Sequence, residues 1–181
     1  MRSFKVEGIV IKRKNYGEAD RLLTVLTKNN GKIQVKATGI RRIPSRRSAH
    51  VELLNYSILS LYRGKTYAIL TEAQAIDNFS PIKDSLEKMG LSYHLCELID
   101  GLCAENQENT RVFYLLKNIL TTLAINSSST ANSVREFEIE LLRILGYLPN
   151  RLAERFDTRD FIENILERKL KSYPIFARLQ T

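Results

Sequence analysis

The first part of the chain alternates apolar and polar positions in short runs, which is the pattern of half-buried β-strands. Residues 32–38 show it most clearly, because their apolar side chains would face a core while Lys32, Gln34 and Lys36 would face water. Gly8 interrupts the alternation of the first run and predicts a bend or bulge there. Five runs between residues 4 and 78, with a long connection after the third, predict a small closed barrel.

From residue 79 onward the apolar positions recur at spacings of three and four, which is the pattern of amphipathic helices. The first of these helices is apolar around most of its circumference and is typical of the centre of a bundle. The last one begins near Thr158 and buries Phe161, Ile162, Ile165, Leu166 and Leu170. We therefore predict an α+β fold, with a five-stranded barrel domain at residues 1–79 and an all-α domain at residues 80–181.

The positive charge is concentrated in the predicted barrel. The 181-residue chain has a net charge of +8; residues 1–80 hold 15 Lys and Arg against 6 Asp and Glu, and residues 81–181 hold 13 against 14. This asymmetry favours a polyanionic partner for the first half. An anionic membrane is disfavoured, because the sequence shows no long apolar run, signal peptide or basic amphipathic helix.

The densest cationic stretch is Lys36–Arg47, in which five of twelve residues are Lys or Arg and none is acidic. Gly39, Pro44 and Ser45 break any regular element, so the stretch reads as a loop between two strands. Guanidinium groups suit phosphate oxygens because they bind them through two parallel hydrogen bonds. The alternative is a solvated loop that keeps a sheet edge from aggregating.

Four segments, spaced in order over nearly the whole chain, share the sequence pattern of one family. They are Gly8-Ile9-Val10-Ile11-Lys12-Arg13 with Tyr16-Gly17-Glu18-Ala19-Asp20-Arg21 and Thr27, then Gly39-Ile40-Arg41-Arg42 with Ser45-Arg46, Phe137-Glu138-Ile139-Glu140-Leu141-Leu142-Arg143-Ile144-Leu145-Gly146-Tyr147-Leu148-Pro149, and Leu166-Glu167-Arg168-Lys169-Leu170-Lys171-Ser172. Together they resemble the RecO family of DNA repair proteins.

The resemblance implies an OB-fold followed by a helical domain, in a cytoplasmic, nucleoid-associated bacterial protein. It also implies a recombination mediator that binds single- and double-stranded DNA and anneals complementary strands. Such a mediator works with RecR and with the acidic C-terminal tail of single-strand binding protein, and indirectly helps to load RecA. Many members carry a four-cysteine zinc module after the Leu-Gly-Tyr-x-Pro motif, where this chain has the cysteine-free residues 151–157. We therefore expect the zinc module to be absent.

Eight cationic residues are candidates for contacts with DNA phosphates: Lys12, Arg13, Lys32, Lys36, Arg41, Arg42, Arg46 and Arg47. Lys14 could line the same groove. Tyr16, Tyr56, Tyr62 and Tyr67 could stack on bases, but each could equally be packing in a core or turn. In the helical half, Lys117 and Arg143 are candidates for the cationic rim of a site that binds the acidic tail.

No catalytic set stands out, and we expect neither enzymatic activity nor a cofactor. His50 and His94 have no nucleophile or metal-ligand pattern nearby, and no Gly-rich phosphate loop follows a strand. Cys96 and Cys103 lie seven residues apart on one helix, too far for a disulfide. Two other functions stay open: a protein-interaction adaptor without DNA binding of its own, and a single-stranded RNA-binding module.

Overall fold

The computed structural model describes residues 2–43, 45–125, 130–148 and 157–173. Its internal contacts divide the chain into two units, residues 1–79 with 104–113 and residues 80–103 with 114–181. The hydrophobic pattern does not predict that residues 104–113 belong with the barrel. A domain boundary at residue 79/80 therefore stays a prediction.

In the described part of the first unit, five strands close into a barrel in the order β1-β2-β3-β5-β4. They are β1 (Ser3–Tyr16), β2 (Asp20–Thr27), β3 (Gly31–Ala37), β4 (Tyr56–Arg63) and β5 (Ala68–Asp77). The β3–β5 pairing is parallel and the other pairings are antiparallel. This is the topology of an OB-fold. The predicted fold class, a five-stranded barrel followed by helices, is confirmed.

The long strand β1 pairs with β4 through residues 3–9 and with β2 through residues 8–16. Gly8 takes part in both pairings, and a Cβ there would lie 2.5 Å from Val25 Cγ1. The register shifts between Val10 and Lys12, three residues after the glycine that the sequence marks. The predicted irregularity of β1 is therefore present, but the bulge lies at Ile11. Gly8 instead allows close packing against Val25.

Alternate residues of the strands fill the barrel interior, as the sequence predicts for β3. The core consists of buried aliphatic side chains from all five strands and from the connection between β3 and β4: Val6, Val10, Leu23, Val25, Ile33, Val35, Ala37, Ile40, Val51, Leu59, Leu61 and Leu70. The sequence pattern predicts one long fourth strand over residues 51–62. β4 begins only at Tyr56, because a 3₁₀ turn (Ser48–Val51) and a positive φ of 68° at Leu54 interrupt the extended run.

The described residues form five helices after the barrel: α1 (Ser80–Lys83), α2 (Leu86–Leu102), α3 (Thr110–Ile125), α4 (Thr130–Ile144) and α5 (Thr158–Leu166). The Ser85 side chain caps α2 by accepting a hydrogen bond from the Lys88 N–H. Asp157 caps α5 in the same way, accepting from two N–H groups. None of the described helices is long and apolar enough to cross a lipid bilayer.

The buried side of α5 differs from the prediction. Ile162 is fully buried and Leu170, beyond the helix end, is nearly so, as expected. Glu163 is also buried, although it is not among the five apolar residues that the sequence pattern predicts to be buried. Its carboxylate accepts hydrogen bonds from Lys169 Nζ (2.7 Å) and the Leu170 N–H (3.0 Å), which lower its pKa to about 2. The chain therefore folds back over Glu163 after the helix ends.

A polar network joins α2, α4, α5 and the segment after α5 inside the second unit. His94 Nε2 lies 2.7 Å from Glu138 Oε1, and His94 Nδ1 lies 2.9 Å from Ser172 Oγ. The Thr158 hydroxyl donates to the other oxygen of Glu138. The Ser172 hydroxyl donates to Glu97 (2.6 Å), so His94 must donate to Ser172 through Nδ1. His94 is thus a structural residue of the helical unit.

Glu97 gives this network a pH dependence. Burial raises its pKa, but hydrogen bonds from Ser172 and Arg168 outweigh burial and lower the pKa from 4.5 to about 2. A carboxyl whose pKa falls on folding stabilises the folded state above its ordinary pKa and loses that effect as the pH drops.

We predict that Glu97→Gln lowers the free energy of unfolding most above pH 4.5, and that its difference from the unmodified protein shrinks as the pH falls toward about 2. Urea denaturation followed by circular dichroism at a series of pH values measures this difference. Glu136→Gln, at an exposed position of α4, serves as the control and should show no such trend. A Glu97→Gln difference that is constant with pH would contradict the assignment.

Candidate nucleic-acid interface

The basic loop, residues 38–47, leaves β3 and is anchored at both ends. At its start, the Gly39 N–H donates to Asp20 Oδ1 (2.8 Å) and the Arg41 N–H donates to the Ala19 carbonyl (2.9 Å). Between them, Ile40 is buried in the barrel core. The loop is therefore fastened to the β1–β2 turn before its exposed part begins.

Arg47 fastens the other end of the loop. Its guanidinium donates to the Leu70 carbonyl of β5 (2.9 Å) and to the Thr38 carbonyl (2.8 Å). These bonds use the fork of donors that the sequence suggests for phosphate. Arg47 thus has a structural role, and its contact with DNA stays a prediction.

The barrel also engages three other predicted residues: Lys32, Arg13 and Lys36. Lys32 is 5% exposed, so the expectation that it faces water is wrong. Residues 104–113 account for this, because they run beside β3 and the Asn106 N–H donates to the Lys32 carbonyl (2.8 Å). Arg13 forms an ion pair with Glu52, which Arg21 also approaches to 3.4 Å.

Lys36 is half-buried and lies between a carboxylate and an aromatic ring. Its Nζ is 3.1 Å from Asp20 Oδ2 and 5.0 Å from the centroid of the Tyr16 ring. The Gly39 N–H and Lys36 together lower the pKa of Asp20, which keeps the carboxyl ionised. Asp20 therefore joins the β1–β2 turn, β3 and the basic loop.

Five of the cations suggested by the sequence are exposed: Lys12, Lys14, Arg41, Arg42 and Arg46. The first two line a groove of about 300 Å³ with Leu22, Thr24, Gln34, Tyr67 and Glu105. We call this the barrel groove. Its residues come from β1, β2, β3, the connection between β4 and β5, and residues 104–113. In OB-folds, the β2–β3 face and the loops beside it bind oligonucleotides.

Two tyrosines meet beside the barrel groove. The Tyr16 and Tyr67 rings form an edge-to-face pair with centroids 6.4 Å apart, and 43% of Tyr16 is exposed. Sequence reasoning left both tyrosines undecided, because their meeting depends on the barrel bringing β1 and the β4–β5 connection together. Exposed aromatic rings beside cations are typical of sites on which bases stack. By contrast, Tyr56 is buried and packs against Phe113, so it belongs to the core.

Glu105 forms an acidic wall of the barrel groove. It accepts a hydrogen bond from Gln34 Nε2 (3.0 Å) and also lines an adjoining depression of about 710 Å³ with Lys5, Arg63 and Glu108. Gly31 permits this arrangement: its φ is +67°, and a Cβ there would lie 2.0 Å from the Gln107 carbonyl oxygen. No local sequence signal places Glu105 against β3, because the contact joins residues about seventy positions apart.

The candidate partner residues of the helical unit are not tested by the structure. Lys117 is half-buried on α3. Arg143 on α4 lies 3.7 Å from Glu140 of the same helix, and its buried Nε has no hydrogen-bond partner in the described residues. Both stay predictions.

The chemistry of the described residues provides no obvious metal site. They contain no group of three or more His, Cys, Asp and Glu side chains suited to a metal ion. His50 is explained by structure, since its Nδ1 accepts the Ala75 N–H (3.2 Å). The zinc module is expected to be missing at residues 151–157, and residues 151–156 lie outside the described part of the chain. Its absence stays a prediction.

We predict that Arg47→Ala lowers the free energy of unfolding by about 1–3 kcal/mol, because two backbone carbonyls lose a charged donor. Chemical denaturation of the full chain measures this change. Arg46→Ala removes the same charge from an exposed neighbour and should change the stability by less than about 0.5 kcal/mol. Equal effects of the two substitutions would show that Arg47 does not anchor the loop.

Comparison with known proteins adds independent information. The family model for the N-terminal part of recombination protein O matches residues 1–79, and the model for its C-terminal part matches residues 83–151. A DNA repair protein RecO of Acetivibrio thermocellus is 38% identical over 149 residues, which are 82% of this chain and 59% of that protein. One from Roseiflexus sp. is 38% identical over 149 residues, 82% of this chain and 52% of that protein. The chain thus spans between half and three fifths of these relatives' length.

Proposed function

The chain belongs to the RecO family, and from this premise we propose that it is a DNA repair protein that acts as a recombination mediator. In this role it binds single- and double-stranded DNA and anneals complementary strands without catalysing a chemical step. The observation that carries the proposal is the barrel groove, in which Lys12 and Lys14 stand beside Tyr67. The basic loop adds three exposed arginines on the same barrel.

The two parts of this surface suit the two chemical parts of a nucleic acid. Exposed Lys and Arg side chains bind phosphates through counterion release, which is independent of sequence. The Tyr16–Tyr67 pair offers ring surface on which unpaired bases stack. A strand held by its phosphates, with its charge screened, can pair with a complementary strand that approaches it. Annealing in this form requires no nucleophile, metal or nucleotide cofactor.

The family also implies partners for the helical unit. We propose that this unit binds RecR and the acidic C-terminal tail of single-strand binding protein, and that RecA loading follows indirectly. Lys117 and Arg143 stay the candidates for the cationic rim of the tail site. A protein with these partners works in the bacterial cytoplasm, on the nucleoid.

The exposed arginines of the basic loop provide the first test. We predict that replacing Arg41, Arg42 and Arg46 with Ala weakens binding to all oligonucleotide sequences alike. The salt slope, the change of the logarithm of the binding constant with the logarithm of the salt concentration, should become smaller in magnitude by about 2–3. Fluorescence anisotropy at a series of salt concentrations measures both quantities. Arg47 is left in place, because its loss would also disturb the loop.

A matched control removes the same charge elsewhere. Arg111, Arg135 and Lys171 are exposed cations outside the barrel groove and the basic loop, and their replacement with Ala should change the slope much less. If both triple variants lose equal slope, only net charge matters and the proposed surface is wrong. No binding by the unmodified protein would favour the adaptor, and a preference for RNA over DNA of the same sequence would favour the RNA-binding module. A strand-annealing assay, with and without single-strand binding protein, tests the mediator role itself.

Glu105 provides an independent test of the barrel groove. We predict that Glu105→Gln raises the affinity for single-stranded DNA by up to about fivefold, because a carboxylate next to the phosphate path contributes roughly 1 kcal/mol of repulsion in water. The amide retains the hydrogen-bonding capacity toward Gln34. Glu136→Gln, exposed on α4, controls for net charge. An unchanged or lower affinity for Glu105→Gln would exclude DNA from this part of the groove.

A further inference from the structure

Ile43, in the basic loop, is exposed to an unusual degree. Its exposed fraction is 98%, above that of the other large hydrophobic side chains in the described residues, such as Leu86 at 81% and Ile125 at 74%. Single exposed apolar residues are common and by themselves indicate nothing. The surroundings of Ile43 are what give its exposure a meaning.

The basic loop, which contains Ile43, is anchored to the barrel on both sides of this residue. Ile40, three residues earlier, is buried in the barrel core. The Arg42 N–H donates to the Gly39 carbonyl (3.1 Å), and the φ of +66° at Gly39 lets the chain turn there. On the other side, the Arg47 guanidinium binds two backbone carbonyls. The barrel therefore holds the loop at the points from which Ile43 projects.

The neighbours of Ile43 define the chemistry of its partner. Arg41, Arg42 and Arg46 are exposed, and the loop contains no acidic residue. A partner must therefore offer anionic groups around an apolar surface. Nucleic acid meets both conditions, because phosphates flank the faces of stacked bases. Apolar side chains such as Ile enter between neighbouring bases in other DNA-binding proteins, at the cost of unstacking one step.

We propose that Ile43 is an apolar wedge that enters a base step of DNA bound at the basic loop, while the three arginines hold the flanking phosphates. This inference rests on the proposed function and deepens it. The wedge opens a step at the site where the backbone is held. An unstacked base exposes its pairing edge to a second strand, so the opened step is a place at which annealing can begin.

The experiment uses the full chain and oligonucleotides that carry 2-aminopurine, whose fluorescence rises when it is unstacked. We expect the unmodified protein to raise the fluorescence of the labelled duplex and single strand at saturation. Ile43→Ser should remove at least half of this rise, while the affinity changes by less than about threefold and the salt slope stays the same. Ile43→Leu should retain the rise, because the wedge needs apolar volume and not one particular shape.

Ile76→Ser is the matched control, since Ile76 is a 50% exposed isoleucine on β5 of the same barrel. It should behave like the unmodified protein. A full fluorescence rise with Ile43→Ser at saturation would overturn the wedge while leaving the proposed function intact. The triple arginine variant tests the proposed function separately, because it should bind DNA more weakly and with a smaller salt slope. Ile43-dependent binding to vesicles of anionic lipid, without any unstacking of DNA, would also overturn the inference.

Discussion

The barrel depends on the ability of one strand, β1, to pair along both of its edges. Its first half pairs with β4 and its second half with β2, so this strand closes the sheet and leaves it without a free edge. The bulge at Ile11 lies in the second half, within the pairing with β2, and bends the strand there. Beyond the bulge, β1 places Lys12 and Lys14 in the barrel groove and Tyr16 beside Tyr67. The constraint that closes the fold therefore also positions the candidate interface.

The cations of the barrel divide into two groups with different roles. Arg47 donates to backbone carbonyls, Arg13 pairs with Glu52, and Lys36 pairs with Asp20. These residues hold the loop and the turns around the site. The exposed cations of the basic loop and the barrel groove lie on the framework that the first group stabilises. A charge count treats both groups alike, although the second group is the more exposed to solvent.

The helical unit relies on carboxylates in a different way. Glu97, Glu138 and Glu163 accept hydrogen bonds from side chains and backbone groups of α5 and of the segment after it. Burying a carboxylate is costly unless donors surround it, so each of these residues constrains how the chain can return. This accounts for the turn after Leu166, where the backbone N–H groups are directed at Glu163 instead of continuing the helix.

The sequence by itself determined the five strands, the helices after them, the family and the basic loop, because these depend on local periodicity, local charge and ordered motifs. The tertiary structure decided where β4 starts, that Lys32 is buried and that Glu163 is covered by the chain after α5. So were the carbonyl partners of Arg47, the acidic wall at Glu105 and the meeting of Tyr16 with Tyr67 decided by it. Each of these features joins side chains to groups from other elements. Periodicity shows which face of an element is apolar, but the partner that covers a polar side chain is set only when distant segments pack together.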